Sequence, residues 1–252
     1  MSRFVQLFSV LLFMLATSLC QASSLRVAAA ADLRYVMPDL IAAFKAESGV
    51  DVAVTYAASG NLTSQIRHGA PYDVFFSANP SYIRLLVEEG LTAGNAIDYA
   101  QGYLALFANR HSSVKVDREL TGLEAALASG NISKIAIANP QHAPYGQAAV
   151  RVLNQAGLYD KAKPFLLLAE NASQVTQFSL TADVDIGFIP YTHALQPAIA
   201  RRGQSVRLDI KLQQQMVVLK SHQQGSAEFA HFIQTEPAKR LFQQHGFDVT
   251  GQ

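Results

Sequence analysis

Residues 25–44 read LRVAAAADLRYVMPDLIAAF, and this stretch decides the fold. Leu25 to Ala30 is a short apolar run that starts abruptly, the pattern of a buried strand. Asp32 stands where a helix N-cap would. Leu33, Val36, Leu40, Ile41 and Phe44 then recur at helical spacing up to Gly49. Pro38 lies slightly too deep for a first turn, so an irregular helix start is expected. A strand, a turn of small residues and a helix form the opening unit of an α/β sheet.

The alternation repeats outward from this unit. Val50 to Tyr56 is a strand, and Ser59-Gly60-Asn61 opens a helix that ends near Gly69. Ala70-Pro71-Tyr72 is a turn, Asp73 to Ser77 a strand, and Pro80 to Glu89 a helix stopped by Gly90. Further strands are expected at Leu104 to Ala108, Lys134 to Ala138, Leu166 to Leu168 and Val184 to Ile189. Helices are expected at Gly122 to Ser129, Ala143 to Ala156 and Ser173 to Thr181. Val206 to Leu219 reads as two strands separated by the mostly polar Lys211 to Gln215. Ala227 to Gln244 reads as helix broken near Pro237. The alternation implies a parallel α/β sheet with crossover helices.

Composition bounds the function. Of 252 residues, 50% are hydrophobic and 15% charged, enough for a real core and against disorder. The net charge of +1 with no basic block argues against a nucleic-acid partner. A single cysteine excludes an internal disulfide framework. Met1-Ser2-Arg3, the apolar run Phe4 to Leu19 and Cys20-Gln21-Ala22 make the three parts of a secretory signal, with cleavage expected after Ala22 and no later than residue 24. That run is shorter than the ~20 residues that span a bilayer. The bulky Leu19 before Cys20 argues against a lipid anchor. Cleavage would leave 19 basic and 19 acidic residues and no cysteine.

Four strand-to-helix turns carry the chemistry: Ala31-Asp32, Ala58-Ser59-Gly60, Pro144-Tyr145-Gly146 and Asn171-Ala172-Ser173. Ligands of open α/β sheets lie beyond the carboxyl ends of the strands. Helix N-termini offer free N–H groups and a partial positive charge, so converging ends can hold an anion without Lys or Arg. Taken singly, Asp32 and Ser59 also read as ordinary helix caps. Seven scattered histidines form no HxxxH or HExxH, and no nucleophile elbow, P-loop or GxGxxG occurs. His142 lies near the proposed turns and reads as a loop residue or an outlying donor.

At these residues the chain resembles the periplasmic molybdate-binding proteins of ABC importers, over nearly all of the mature length. The resemblance rests on Ala28 to Leu33, on Ala58-Ser59-Gly60-Asn61-Leu62 and on Gly69-Ala70-Pro71-Tyr72-Asp73 running to Ala78. It continues through Asn139-Pro140-Gln141-His142-Ala143-Pro144-Tyr145-Gly146, Ala169 to Ser173 and Asp185 to Phe188. It implies an α/β fold of two lobes, each a mostly parallel sheet flanked by helices, joined by two crossover segments. Lobe one would be 25–103 plus 216–252 and lobe two 104–215. The ligand would be molybdate or tungstate, with no cofactor, no catalysis and no direct protein–metal bond. The partner would be a membrane permease, and the protein a periplasmic monomer.

The resemblance also places the contacts. Ser59 would give hydroxyl and N–H, Ala172 a backbone N–H, and Tyr145 a backbone N–H or its hydroxyl. Tyr191 follows Pro190, which occupies the place of a tyrosine used by some members. Asp32 departs from the Ser or Asn of relatives. Three readings of it stand: a cap turned from the ligand, an acceptor for a protonated oxyanion such as hydrogen phosphate, or a carboxyl that is itself protonated. The alternatives to a molybdate carrier are therefore a phosphate-type carrier acting through Asp32 and an exported hydrolase using Ser59, which would need a neighbouring base.

Overall fold

The structure is a computed structural model that describes residues 24–249. The expected signal segment, 1–22, lies outside them. Strand β1 (Leu25–Ala30) leads through a four-residue 3-10 turn, Ala31–Arg34, into α1 (Met37–Ser48). Then come β2 (Val52–Ala57), α2 (Ser59–Arg67), β3 (Val74–Ser77), α3 (Pro80–Glu88) and the long β4 (Ile97–Asn109). The next elements are α4 (Thr121–Ser129), β5 (Ile135–Ala138), α5 (Pro144–Gln155), α6 (Tyr159–Ala162), β6 (Leu166–Ala169) and α7 (Ala172–Ser179). The chain ends with β7 (Ile186–Pro190), α8 (Tyr191–Ala194), α9 (Pro197–Ala200), the long β8 (Gly203–Val218), α10 (Ser226–Ile233) and α11 (Glu236–Gln244).

The eight strands form one continuous sheet in the order β2-β1-β3-β8-β4-β7-β5-β6. β1 pairs in parallel with β2 and β3, and β5 pairs in parallel with β6 and β7. β8 lies antiparallel to β3, and β4 antiparallel to β7. Read from its edge inward, each half of the sheet has the same order: a second strand, a first, a third, then a long antiparallel strand. β4 and β8 pair with each other from Ile97↔Met216 to Asn109↔Gly203 and stitch the halves together. Register shifts at Asp98/Ala100 and Tyr103/Ala105 bend this ladder where it passes from one half to the other.

Period-two alternation sends neighbouring side chains to opposite faces. Phe76 packs with Val27, Leu40, Phe44 and Phe229 under α1 and α10, whereas Phe75 packs with Leu62, Ile66 and Leu86 under α2 and α3. In the second half, Leu106, Ile135, Ile137 and Phe188 pack with Leu153 of α5. Ala105, Phe107, Ala136 and Ile189 face Val175 of α7.

Two sequence expectations are corrected here. Lys211 to Gln215 do not interrupt a strand: β8 is unbroken, with Leu208, Leu212, Gln214 and Met216 buried at alternate positions. A glutamine in the inward slot disguised the period. The strand after Tyr103 begins earlier, at Ile97. The irregular helix start expected from Pro38 is present, since α1 begins only at Met37, three residues after the 3-10 turn ends at Arg34. The break near Pro237 falls between α10 and α11, with the proline in the first turn of α11.

Candidate functional site

The strand order changes direction at β1 and again at β5. β1 leads to α1 on one face of the first half and β2 to α2 on the other, and β5 and β6 lead in the same way to α5 and α7 on opposite faces of the second. This arrangement makes two topological switch points, where α/β sheets open a crevice for ligands. The four turns singled out in the sequence follow β1, β2, β5 and β6, and they converge on one small cavity. The space open to a water-sized sphere is about 10 Å³, and Asp32, Ser59, Tyr145 and Ala172 line it together with alanines 30, 31, 57, 58, 78 and 143 and Pro144. That is room for about one water-sized group, far below the roughly 300–1,000 Å³ of cavities that hold organic ligands. No Lys, Arg or His is in the lining.

Each turn presents its donors for a local reason. Asn171 caps α7: its Oδ1 accepts from the amides of Ser173 and Gln174, both at 3.0 Å. The Ala172 N–H is thereby left as the donor of that turn. Ser59 opens α2, and its Oγ accepts from the Ala78 amide at 3.1 Å, which leaves the hydroxyl proton free to donate. Pro144 starts α5, where its missing N–H is no loss, and places Tyr145 in the first turn.

Asp32 is not a cap. Its side chain bonds no helix amide, and α1 starts five residues later. The carboxyl is 1% exposed. Oδ2 accepts from the Tyr145 hydroxyl at 3.1 Å, and Oδ1 has no hydrogen-bond partner among the described residues. Burial pushes its pKa up to about 6, against the opposing effects of Tyr145, of its own backbone and of the Gln214 amide. Burial first, and then the charge of Asp32, holds the Tyr145 hydroxyl well above the ordinary phenol range.

Sequence reasoning placed Tyr191 at the site, and the structure does not bring it there. Pro190 closes β7 and Tyr191 opens α8, one residue further on. The Tyr191 ring lies 5.8 Å from the Arg207 guanidinium, outside the cavity lining. The hydrolase reading gains no support here: Ser59 Oγ accepts from the Ala78 amide and keeps its own proton, and no histidine lines the cavity to take it. His142 is an outlying residue whose Nε2 contacts the Glu170 carbonyl at 3.1 Å. No group of three or more His, Cys, Asp or Glu side chains able to hold a metal ion occurs among the described residues.

Sequence reasoning missed a set of contacts between the halves. The Gly60 amide donates to the His142 carbonyl at 2.9 Å. Ser173 Oγ donates to the Ala31 carbonyl at 3.0 Å, and Asn79 Nδ2 to Gln147 Oε1 at 3.3 Å. Gly60 is required here, because a Cβ would stand 2.8 Å from the His142 oxygen and 2.9 Å from the Tyr82 hydroxyl. Gly102 of β4 is equally constrained: a Cβ there would lie 2.6 Å from the Tyr145 hydroxyl oxygen. No spacing rule flags such glycines, since the neighbours they admit come from distant segments.

The doubled sheet order, the paired long strands and a small cavity between the halves, lined by four strand-to-helix turns, define a binding protein for a small solute. The chain belongs to the bacterial extracellular solute-binding protein family, whose model matches residues 25–248. It is 30% identical over 228 residues to the molybdate-binding protein ModA of Rhodobacter capsulatus, covering 87% of this chain and 86% of that protein. It is 26% identical over 244 residues to ModA of Escherichia coli, covering 92% and 91%. The structure of the Azotobacter vinelandii periplasmic molybdate-binding protein superposes with a TM-score of 0.81 at 28% identity, covering 91% of this chain and all of that one. These relatives are binding proteins, not enzymes. Among the described residues no helix is long and apolar enough to cross a membrane.

Proposed function

We propose that this protein captures a tetrahedral oxyanion, molybdate or tungstate, and delivers it to the permease of an ABC importer. The observation that carries this reading is the convergence of four switch-point turns on one cavity that offers neutral donors and no cation. Ser59 supplies hydroxyl and N–H, Ala172 and Tyr145 supply backbone N–H, and Asp32 faces the ligand beside them. The names of the relatives agree with this ligand. Residues 25–103 with 216–252 act as one lobe and 104–215 as the other, hinged on β4 and β8, and ligand favours the closed arrangement by binding it better. Residues 1–22 direct export to the periplasm, where the protein works as a monomer.

A second reading has one observation in its favour. The buried Asp32 carboxylate could accept a proton from a protonated oxyanion such as hydrogen phosphate. A thermal-shift screen of the mature protein against molybdate, tungstate, sulfate, phosphate and chromate separates the two. A ligand at 100 times its dissociation constant adds about 2.7 kcal/mol to the folded state. Stabilisation by molybdate and tungstate supports the first reading. Stabilisation by phosphate alone replaces it with the second, and silence from all five removes both.

A further inference from the structure

We propose that Asp32 and the bound oxyanion share one proton through Asp32 Oδ1, so that the protein takes up one proton from water for each fully deprotonated dianion it binds. This rests on the oxyanion reading above and extends it to the chemistry of one residue. Asp32 lines the cavity, is buried, and uses only half of its carboxyl: Oδ2 is occupied by the Tyr145 hydroxyl, and Oδ1 is buried without a partner. An ionised carboxylate there would face a dianion with no cation in the lining to compensate, and like charges at hydrogen-bond distance cannot both remain bare. One proton removes the conflict. It converts Oδ1 from an orphaned acceptor into a donor aimed at an oxyanion oxygen, while Oδ2 keeps the Tyr145 bond. No bond to the central atom of the ligand forms or breaks. The carboxylate gains a proton, and solvent loses it.

Tyr145 decides which oxygen carries the proton. Its hydroxyl comes from α5 in the opposite half of the sheet and donates to Oδ2, so Oδ1 is the oxygen left to be protonated. None of the surrounding titratable groups takes the proton in its place. Tyr145 on α5 and Tyr99 on β4 are held protonated by burial, well above the usual phenol range. His193 on α8 is held neutral, its pKa lowered to about 3 chiefly by burial. Arg34, on the same 3-10 turn as Asp32, has its guanidinium 5.7 Å from the centre of the Tyr56 ring. Gln214 on β8 and Thr192 on α8 do not titrate. Asp32, raised by burial to about 6, is the group left to exchange a proton in the neutral range.

The test is calorimetric titration of the intact mature protein with molybdate, in pairs of buffers that differ in ionisation enthalpy, between about pH 5 and about pH 8. The expected uptake is near one proton per molybdate at the alkaline end and well below half at the acid end, where the free carboxyl is already protonated. Affinity should fall about tenfold per pH unit above the midpoint of the free carboxyl. Asp32→Asn should bind molybdate with no proton uptake and with an affinity independent of pH. Molybdate binding by the unaltered protein with no proton uptake overturns the proposal and leaves the oxyanion reading intact. Uptake that persists in the Asn variant also overturns it. Failure of molybdate, tungstate and sulfate to bind at all overturns the oxyanion reading and this proposal with it. Phosphate binding without uptake identifies a ligand that brings its own proton, and overturns the proposal for that ligand.

Discussion

The Tyr145 hydroxyl donates to Asp32 Oδ2 at 3.1 Å, joining two residues 113 positions apart on opposite halves of the sheet. Both side chains are buried, and both line the cavity. The bond is at once a contact between the halves and part of the wall that a ligand meets. Tyr145→Phe keeps the ring and removes the donor, leaving both carboxyl oxygens unpartnered. The expected loss is about 1–3 kcal/mol of stability at neutral pH, together with weaker oxyanion binding. Urea denaturation at pH 7 checks the first and ligand titration the second. An unchanged midpoint would show that the bond contributes nothing to the folded state.

The two buried titratable groups near this bond act with opposite sign on stability. Asp32 is raised from 3.8 to about 6, so the folded chain keeps a proton that the unfolded chain has lost. Its contribution is complete below 3.8 and disappears as pH rises toward about 6. His193 is lowered from 6.5 to about 3, so the unfolded chain binds the proton first. Its contribution is complete above 6.5 and disappears as pH falls toward about 3. Between these limits they oppose each other. Relative to the unaltered protein, ligand-free Asp32→Asn should therefore gain stability with rising pH, by about 3 kcal/mol across the window. Denaturation curves at pH 4 and pH 7 measure this difference, and a difference that does not vary with pH removes the Asp32 shift.

Gly60→Ala tests the approach of the two halves. The added Cβ would be 2.8 Å from the His142 carbonyl oxygen, which accepts the amide of the same residue. Gly60 lies in α2 with a negative φ, so alanine itself is acceptable to the helix. The expected result is a loss of oxyanion affinity of tenfold or more, equal to about 1.4 kcal/mol, with little loss of stability in the ligand-free protein. Equal losses in both would place the clash inside one half rather than between them.

Ser59→Ala removes a hydroxyl that accepts from Ala78 and lines the cavity. The Ala78 amide is then left without its acceptor, at a cost of about 1–3 kcal/mol. Oxyanion affinity should fall as well, because a neutral donor is lost. Retained affinity in the folded variant would mean that the ligand is held by backbone amides alone.

The strand–helix alternation and the four turns that line the cavity were legible because each is a local pattern: an apolar run, a small-residue turn, a helical period. What local patterns could not give is how distant segments meet. Asp32 read as a cap because aspartate before a helical period usually is one, yet here the next residues form a 3-10 turn and the carboxyl points inward to Tyr145. Gln214 read as part of a polar break, although it holds an inward slot of β8 and accepts from the Tyr99 hydroxyl at 3.0 Å. Tyr191 follows the end of β7 by one residue, in the first turn of α8, and does not line the cavity.

The long antiparallel pair β4 and β8 has a consequence of a different kind. Each half of the sheet contributes two of the four turns that line the cavity, so on the proposed reading each half alone is an incomplete receptor. The strands tether these fragments as a short linker tethers a bivalent ligand, setting a high effective concentration of one for the other. The strength with which an ion is held then depends on the stiffness of that tether as well as on the atoms that touch the ion. Changes at its register shifts, beside Tyr103 and Asp98, would tune binding without altering a single contact.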